Sequence, residues 1–312
     1  MRLKKLAKLS LFVLGLVFVL MNVVAFFHAY KFTHFSESER DKTRSAEKLS
    51  RIDKATALFF GIDNPRPENY KFPTQEFETI TLQSNKKIEC WSIKKDEAKG
   101  TVILFHSNGA QKSALLEKSD EFLRLGYSTF LVDFMGSGGS EGNQTTIGFK
   151  EARQVETAYS YIKERGESNI YLFGSSLGAA AVLKAVDEFQ LQPQGIIVEC
   201  PFGSLYKTTC ARFRSMGLPS FPMAGLLVFW GGVQNGFWAF GHNPIEYATG
   251  VESPTLLFYG VQDEKVSRQE IDEIYLNLKG KKKLTTFPRS GHDSYFPAYR
   301  EQWLDDVQHI LH

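Results

Sequence analysis

Ser176 sits at the centre of Gly174-Ser175-Ser176-Leu177-Gly178, a G-x-S-x-G pentapeptide. An apolar run, Asn169 to Phe173, precedes it, and the small residues Ala179, Ala180 and Ala181 follow. A serine hydroxyl is a poor nucleophile at neutral pH and needs a base to take its proton. Of the seven histidines, His292 in Ser290-Gly291-His292-Asp293 is the best placed to be that base. It follows the last expected strand, and Gly291 permits a turn that points an imidazole back over a sheet. The orienting acid belongs at a strand's carboxyl end. Asp263, closing Leu256 to Asp263, fits that place, with Glu199 and Asp133 as alternatives. Asp133 is better suited to bracing loops by accepting backbone N–H bonds. The chain order is then Ser176, Asp263, His292, the order that accompanies a nucleophile on a strand–turn–helix elbow. An oxyanion would be held by the N–H of Leu177 and by a second donor from the loop His106-Ser107-Asn108-Gly109. Asn108 is the first choice there and Ser107 the second.

G-x-S-x-G is common in ordinary surface turns, so its meaning depends on the elements around it. Thr101–Phe105 is a continuous β-branched and apolar run, the pattern of a strand buried on both faces. Similar runs are expected at Thr129–Val132, Ile170–Phe173, Gly195–Val198, Thr255–Tyr259 and Lys283–Phe287. Helical segments separate most of them: Ser113–Leu125, Gly148–Glu164, Leu177–Phe189 and Arg268–Leu278, with Tyr295–Leu311 closing the chain. Phe77–Leu82 and Lys87–Lys94 alternate apolar and polar residues, as an antiparallel hairpin would. Strand and helix alternating at this spacing predict an α/β fold, a mostly parallel sheet with helices on both faces.

The N-terminus carries a different device. Arg2, Lys4, Lys5 and Lys8 precede an uncharged stretch from Leu9 to Phe27, diluted only by Ser10 and Asn22. As a helix it would be about 28 Å long, close to the hydrocarbon thickness of a bilayer. Residues 1–30 therefore read as a transmembrane signal anchor. The basic cluster would stay cytoplasmic and the rest of the chain would be extracytoplasmic. A cleaved signal peptide is the alternative, with Val23-Val24-Ala25 as a cleavage site and a secreted product. Residues 31–70 read as a juxtamembrane spacer, and 71–312 as the catalytic domain. Within that domain a long connection, about 203–251, forms a cap between the sixth and seventh main strands. From Ser215 to Ile245 it holds no Asp, Glu, Lys or Arg. It is either a pair of buried cap helices or a lid whose apolar face binds acyl chains or rests on the bilayer.

The bulk numbers exclude other classes. With 37 basic and 35 acidic residues there is no electrostatic footprint for nucleic acid. Three cysteines cannot form a full disulfide framework, although pairing of Cys200 with Cys210 stays open. No H-E-x-x-H or Walker A sequence occurs, and no metal or cofactor site is expected. Gly136 to Gly142 fails the dinucleotide pattern because Glu141 stands where the last glycine is needed.

Taken together, the His106-Ser107-Asn108-Gly109 loop, the Asp133 to Gly138 loop, the Ser176 elbow, Asp263 and His292 resemble the α/β-hydrolase superfamily over roughly residues 77–312. The one-span N-terminus is similar to membrane-anchored members related to depalmitoylases, acyl-thioesterases and small esterases. The resemblance implies hydrolysis without metal or cofactor, through an acyl-enzyme, of a small-molecule or lipid-like acyl ester. One departure is Ser107, where many relatives have glycine. A serine peptidase or amidase using the same three residues, and a catalytically silent binding protein on this fold, are the alternatives.

Overall fold

The computed structural model describes residues 2–36, 59–292 and 295–311. The elements in chain order are α1 (Arg2–Thr33), β1 (Phe35–Ser36), β2 (Asn64–Pro65), β3 (Glu78–Gln83), β4 (Lys87–Ile93), β5 (Thr101–Phe105), α2 (Leu116–Arg124) and β6 (Ser128–Val132). Then come α3 (Glu151–Glu164), β7 (Ile170–Ser175), α4 (Leu177–Phe189), β8 (Gly195–Glu199), α5 (Leu205–Ser215) and α6 (Met223–Asn235). The chain ends with α7 (Pro244–Tyr247), β9 (Thr255–Gly260), α8 (Arg268–Asn277), β10 (Lys282–Phe287) and α9 (Arg300–Leu311).

Eight strands form one sheet in the order β10-β9-β8-β7-β5-β6-β4-β3. The β3–β4 and β4–β6 pairs are antiparallel and all others parallel. Alternation along each strand feeds two cores. Ile103, Phe105, Leu172 and Val198 pack with α3 and α4 on one face. Val102, Leu104, Phe173 and Ile197 pack with α2 and α9 on the other. The chain leaves β5 for β6 on one side and later pairs β7 on the other, so the order reverses at β5. Ligand sites in open α/β sheets lie beyond the carboxyl ends of the strands at such a point.

Three helix starts differ from the sequence reading, and the one expected at Ser113 lies at Leu116, after a 3₁₀ turn over Lys112–Leu115. The closing helix begins at Arg300, not Tyr295. Phe296 precedes Pro297, and a residue before proline is pushed out of the helical region. Tyr295 and Phe296 are instead buried in the turn before the helix. The helix expected from Gly148 begins at Glu151, whose carboxylate accepts from the Thr146 and Gly148 N–H groups.

The N-terminal helix is longer than the apolar stretch, and its second half is docked. It is the one described helix long and apolar enough to cross a membrane. From Met21 onward it lies against the rest of the chain, with Ala25 and Ala29 buried. The Thr33 carbonyl accepts from Thr145 N–H at 2.8 Å, and the Phe35 N–H donates to Asn143 O at 2.6 Å. β1 pairs with β2, and Lys31 bridges Asp63 at 2.9 Å. Where a spacer was expected over 31–70, the residues on both sides of 37–58 are thus fastened to the domain. Residues 37–58 lie outside the described residues. Cys90, Cys200 and Cys210 are all free thiols and all buried.

Candidate active site

β7 ends at Ser175 and α4 starts at Leu177, so Ser176 alone makes the turn between them. Its φ is 50° and its ψ −106°, a conformation that L-residues rarely adopt. The close approaches around the turn explain the two glycines. A Cβ at Gly174 would lie 2.5 Å from Gly178 O, and one at Gly178 would lie 2.4 Å from Phe105 O. The second contact also seats the elbow directly on the end of β5. Ser176 N–H is taken by Glu199 O at 2.8 Å, and Ser176 O begins the helix by accepting from Ala180 N–H.

The side chains of Ser176, His292 and Asp263 form one hydrogen-bonded line. Ser176 Oγ is 2.9 Å from His292 Nε2. His292 Nδ1 is 2.7 Å from Asp263 Oδ2. The Asp263 side chain is wholly buried, and its Oδ1 accepts from Lys265 and Val266 N–H at 2.8 and 2.9 Å. The loops after β9 and β10 that carry the two residues are tied together. Val261 N–H donates to Phe287 O and Gln262 N–H to Ser290 O. A carboxylate on Nδ1 favours the proton there, which leaves Nε2 free to accept from the serine hydroxyl. The alternative acids are occupied elsewhere. Glu199 holds Lys118 Nζ and Trp303 Nε1, each at 2.9 Å. His242 in the cap is also engaged, with Nε2 on Ile147 O at 2.9 Å. Burial pushes its pKa down to about 4.

The N–H groups of Leu177, Asn108 and Ser107 donate to no protein acceptor among the described residues. His106 fixes the loop that carries two of them. It is buried, and its Nδ1 is 2.9 Å from Ser107 O while its Nε2 accepts from Phe134 N–H at 3.0 Å. That pattern sets the tautomer, with Nδ1–H donating to Ser107 O. Burial lowers the imidazole's pKa and keeps it neutral. Holding the Ser107 carbonyl on one side points the Asn108 N–H of the same planar peptide to the other. The sequence reading included His106 in this loop but gave it no role, and missed that it positions the donors. Its signal was a histidine directly before the turn.

Beneath the same loop lies a buried ionic cluster that the sequence also concealed. Lys112 and Asp133 are fully buried and paired, and Lys112 Nζ reaches Glu89 Oε1 at 2.7 Å. The ammonium lies 4.3 Å from the centre of the Trp91 ring. Asp133 also accepts from Lys112 N–H at 2.7 Å, Asn69 Nδ2 at 2.8 Å and Gly139 N–H at 3.0 Å. It thereby joins the segment after β5 to the loop after β6. Removing one member of such a pair strands a charge in the interior, which typically costs about 3–5 kcal/mol. Lys112→Ala is expected to destabilise the domain by that amount. A denaturation midpoint left at the wild-type value would refute the cluster's bracing role.

Among the described residues no group of three His, Cys, Asp or Glu side chains could hold a metal ion. The family described as serine aminopeptidase, S33, matches residues 96–226, less than half of the chain. Two curated relatives are uncharacterised. One, from Bacillus subtilis, is 24% identical over 228 residues, covering 72% of this chain and 75% of its own. The other, a membrane protein of Saccharomyces cerevisiae, is 27% identical over 244 residues, covering 75% and 81%. Among solved structures, an esterase of Pyrococcus furiosus superposes with a TM-score of 0.68 at 21% identity, covering 80% of this chain and 97% of its own. A Butyrivibrio proteoclasticus protein solved with ferulic acid gives 0.58 at 17% identity, covering 74% and 99%. An eight-stranded sheet of this order, matched along most of the chain by solved structures of the same architecture, gives this chain the α/β-hydrolase fold, and its central segment is similar to the serine aminopeptidase, S33, family.

Proposed function

We propose that the chain is a membrane-anchored serine hydrolase that cleaves a carboxylic ester or acyl-thioester through an acyl-enzyme. The observation that carries this reading is the line from Ser176 Oγ through His292 to Asp263, at 2.9 and 2.7 Å. Ser176 Oγ attacks the acyl carbonyl while His292 Nε2 takes its proton. The N–H groups of Leu177 and Asn108 (with Ser107 beside it) receive the oxyanion. His292 then protonates the leaving alcohol or thiol. In the second half it activates a water that releases the acid and restores Ser176. Asp263 keeps the imidazole in the working tautomer and stabilises its cation. Each oxyanion donor is worth about 3–4 kcal/mol in the transition state.

In the same proposal α1 crosses the membrane once. The basic residues at 2, 4, 5 and 8 hold its start in the cytoplasm and leave the domain on the far side. Similarity to a yeast membrane protein supports the anchor. Cutting after Ala25 would sever α1 within its docked half, which favours retention over cleavage.

A second reading, amide or peptide cleavage, is favoured by the family match described as an aminopeptidase. Amide cleavage needs firm protonation of a poor leaving group, and the charge-free stretch from Ser215 to Ile245 offers no partner for a peptide terminus. The test is a nitrophenyl-ester series from acetate to palmitate set against aminoacyl-anilides. The full chain in detergent is used, because α1 packs on the domain. Ester turnover that is lost in Ser176→Ala supports the proposal. Turnover of anilides alone transfers the assignment to a peptidase.

A further inference from the structure

The docked half of α1 fixes where a bilayer would meet the cap. The last lysine of the N-terminal cluster is Lys8, and from Leu9 to Leu20 every residue of α1 is exposed. That free stretch is about 18 Å long at 1.5 Å per residue. A hydrocarbon core of about 30 Å needs about 20 residues. The missing 10 Å or so falls on Met21 to Phe27, where α1 already lies against α6.

The contacts there also give the direction of α6. Trp230 Nε1–H donates to Asn22 Oδ1 at 3.2 Å, and the Phe26 ring sits edge-on to Trp230 at 5.3 Å. Four residues further along both helices, Gln234 Nε2 donates to Phe26 O at 2.8 Å. Numbers rise together, so the two helices run parallel. Met223, at the start of α6, therefore lies about 10 Å further than Trp230 toward the free end of α1. Phe221 and Pro222 run directly into Met223, so the segment joining α5 to α6 ends on that same side of α6. The Phe221 end of the α5–α6 connection consequently lies toward the free part of α1. Its residues are apolar and open: Met216 is 54%, Leu218 50% and Phe221 82% exposed.

The faces of α6 agree. Ala224, Val228 and Gly232 are buried on the domain, Trp230 and Gln234 face α1, and the remaining stripe exposes Phe229 and Val233. A surface helix of a water-soluble domain carries charged or polar residues on that outer stripe. This one carries none.

We propose that the α5–α6 connection, Met216 to Phe221, is immersed in the extracytoplasmic leaflet beside α1, at the depth of the acyl chains. The occupant of this surface is the bilayer that α1 crosses, so the inference rests on the anchored reading above. Asn22 and Trp230 form the polar clasp that keeps α6, and with it the connection, against α1 inside the membrane boundary.

The full chain is reconstituted into phosphatidylcholine–phosphatidylglycerol vesicles with and without acyl-chain nitroxide lipids. A fluorophore is placed in turn at Leu218→Cys, at Phe12→Cys in the free part of α1, and at Asp96→Cys on the loop before β5. The three native thiols are buried and stay unlabelled under native conditions. The expected result is at least a twofold loss of emission at positions 218 and 12 and no loss at 96. Quenching at 12 without quenching at 218 overturns the immersed connection while leaving the anchor intact. No quenching at either overturns the anchored reading and the immersed connection with it. Quenching at all three signals an unfolded or aggregated chain lying on lipid, and it too rejects the proposed arrangement.

Discussion

Ser176→Ala should reduce ester turnover by about 10⁴–10⁶-fold while leaving the folded domain intact. The hydroxyl is the attacking atom in the proposed reaction, and no neighbouring side chain can replace it. Ser175 is adjacent in sequence but belongs to β7, where it pairs in register with Glu199. Loss of the Oγ also removes the 2.9 Å contact with His292, so the imidazole keeps Asp263 but loses its proton donor. The backbone strain at position 176, with φ at 50°, is common to serine and alanine. The variant should therefore melt close to wild type, and any change in stability reports only the lost hydrogen bond. Fluorophosphonate labelling of the wild type, absent in the variant, checks the same claim without a chosen substrate. Retention of more than about 1% of the wild-type rate in a pure preparation would mean that another group is the nucleophile.

The parts of this molecule that local pattern determines were legible in the chain. Thr101–Phe105 and Ile170–Phe173 read as buried strands because β-branched and apolar residues run without interruption there, and both are central strands of the sheet. The elbow was legible because its two glycines answer to backbone approaches of 2.5 and 2.4 Å that no side chain survives. What escaped depends on partners far away in sequence. Asn22 read as a flaw in an apolar run, yet it accepts from Trp230, 208 residues away. Nothing in the sequence singled out Lys112, yet it is fully buried between Asp133 and Glu89. A charge enters an interior only when its counter-charges are already there, and spacing along the chain does not reveal that. The two readings of the charge-free cap could not be separated for the same reason. The stripe that faces the domain and the stripe that faces outward are equally apolar, and only the packing of α6 distinguishes them.

Asp263→Asn tests the other end of the hydrogen-bonded line, and its expected effect is a fall in kcat of about 10⁴-fold with little change in KM. The substitution keeps the size of the side chain. Its surroundings also decide how an amide would orient. Oδ1 accepts from the Lys265 and Val266 N–H groups, so the amide oxygen must remain there to avoid two stranded donors. The amide nitrogen is then directed at His292 Nδ1 and presents a hydrogen to it. The imidazole must answer by moving its own proton to Nε2. An Nε2–H facing Ser176 Oγ can donate to the hydroxyl but cannot take its proton, so attack is blocked in a site whose shape is unchanged. The alternative acid predicts a different pattern. Were Glu199 the acid, Asp263→Asn would leave kcat within about tenfold of wild type, and Glu199→Gln would carry the loss. Glu199 is held by Lys118 and Trp303, however, so its removal should appear first as lowered stability. Measuring kcat, KM and the melting midpoint for both variants separates the two cases. A large fall in kcat at unchanged midpoint for Asp263→Asn alone assigns the tautomer control to Asp263.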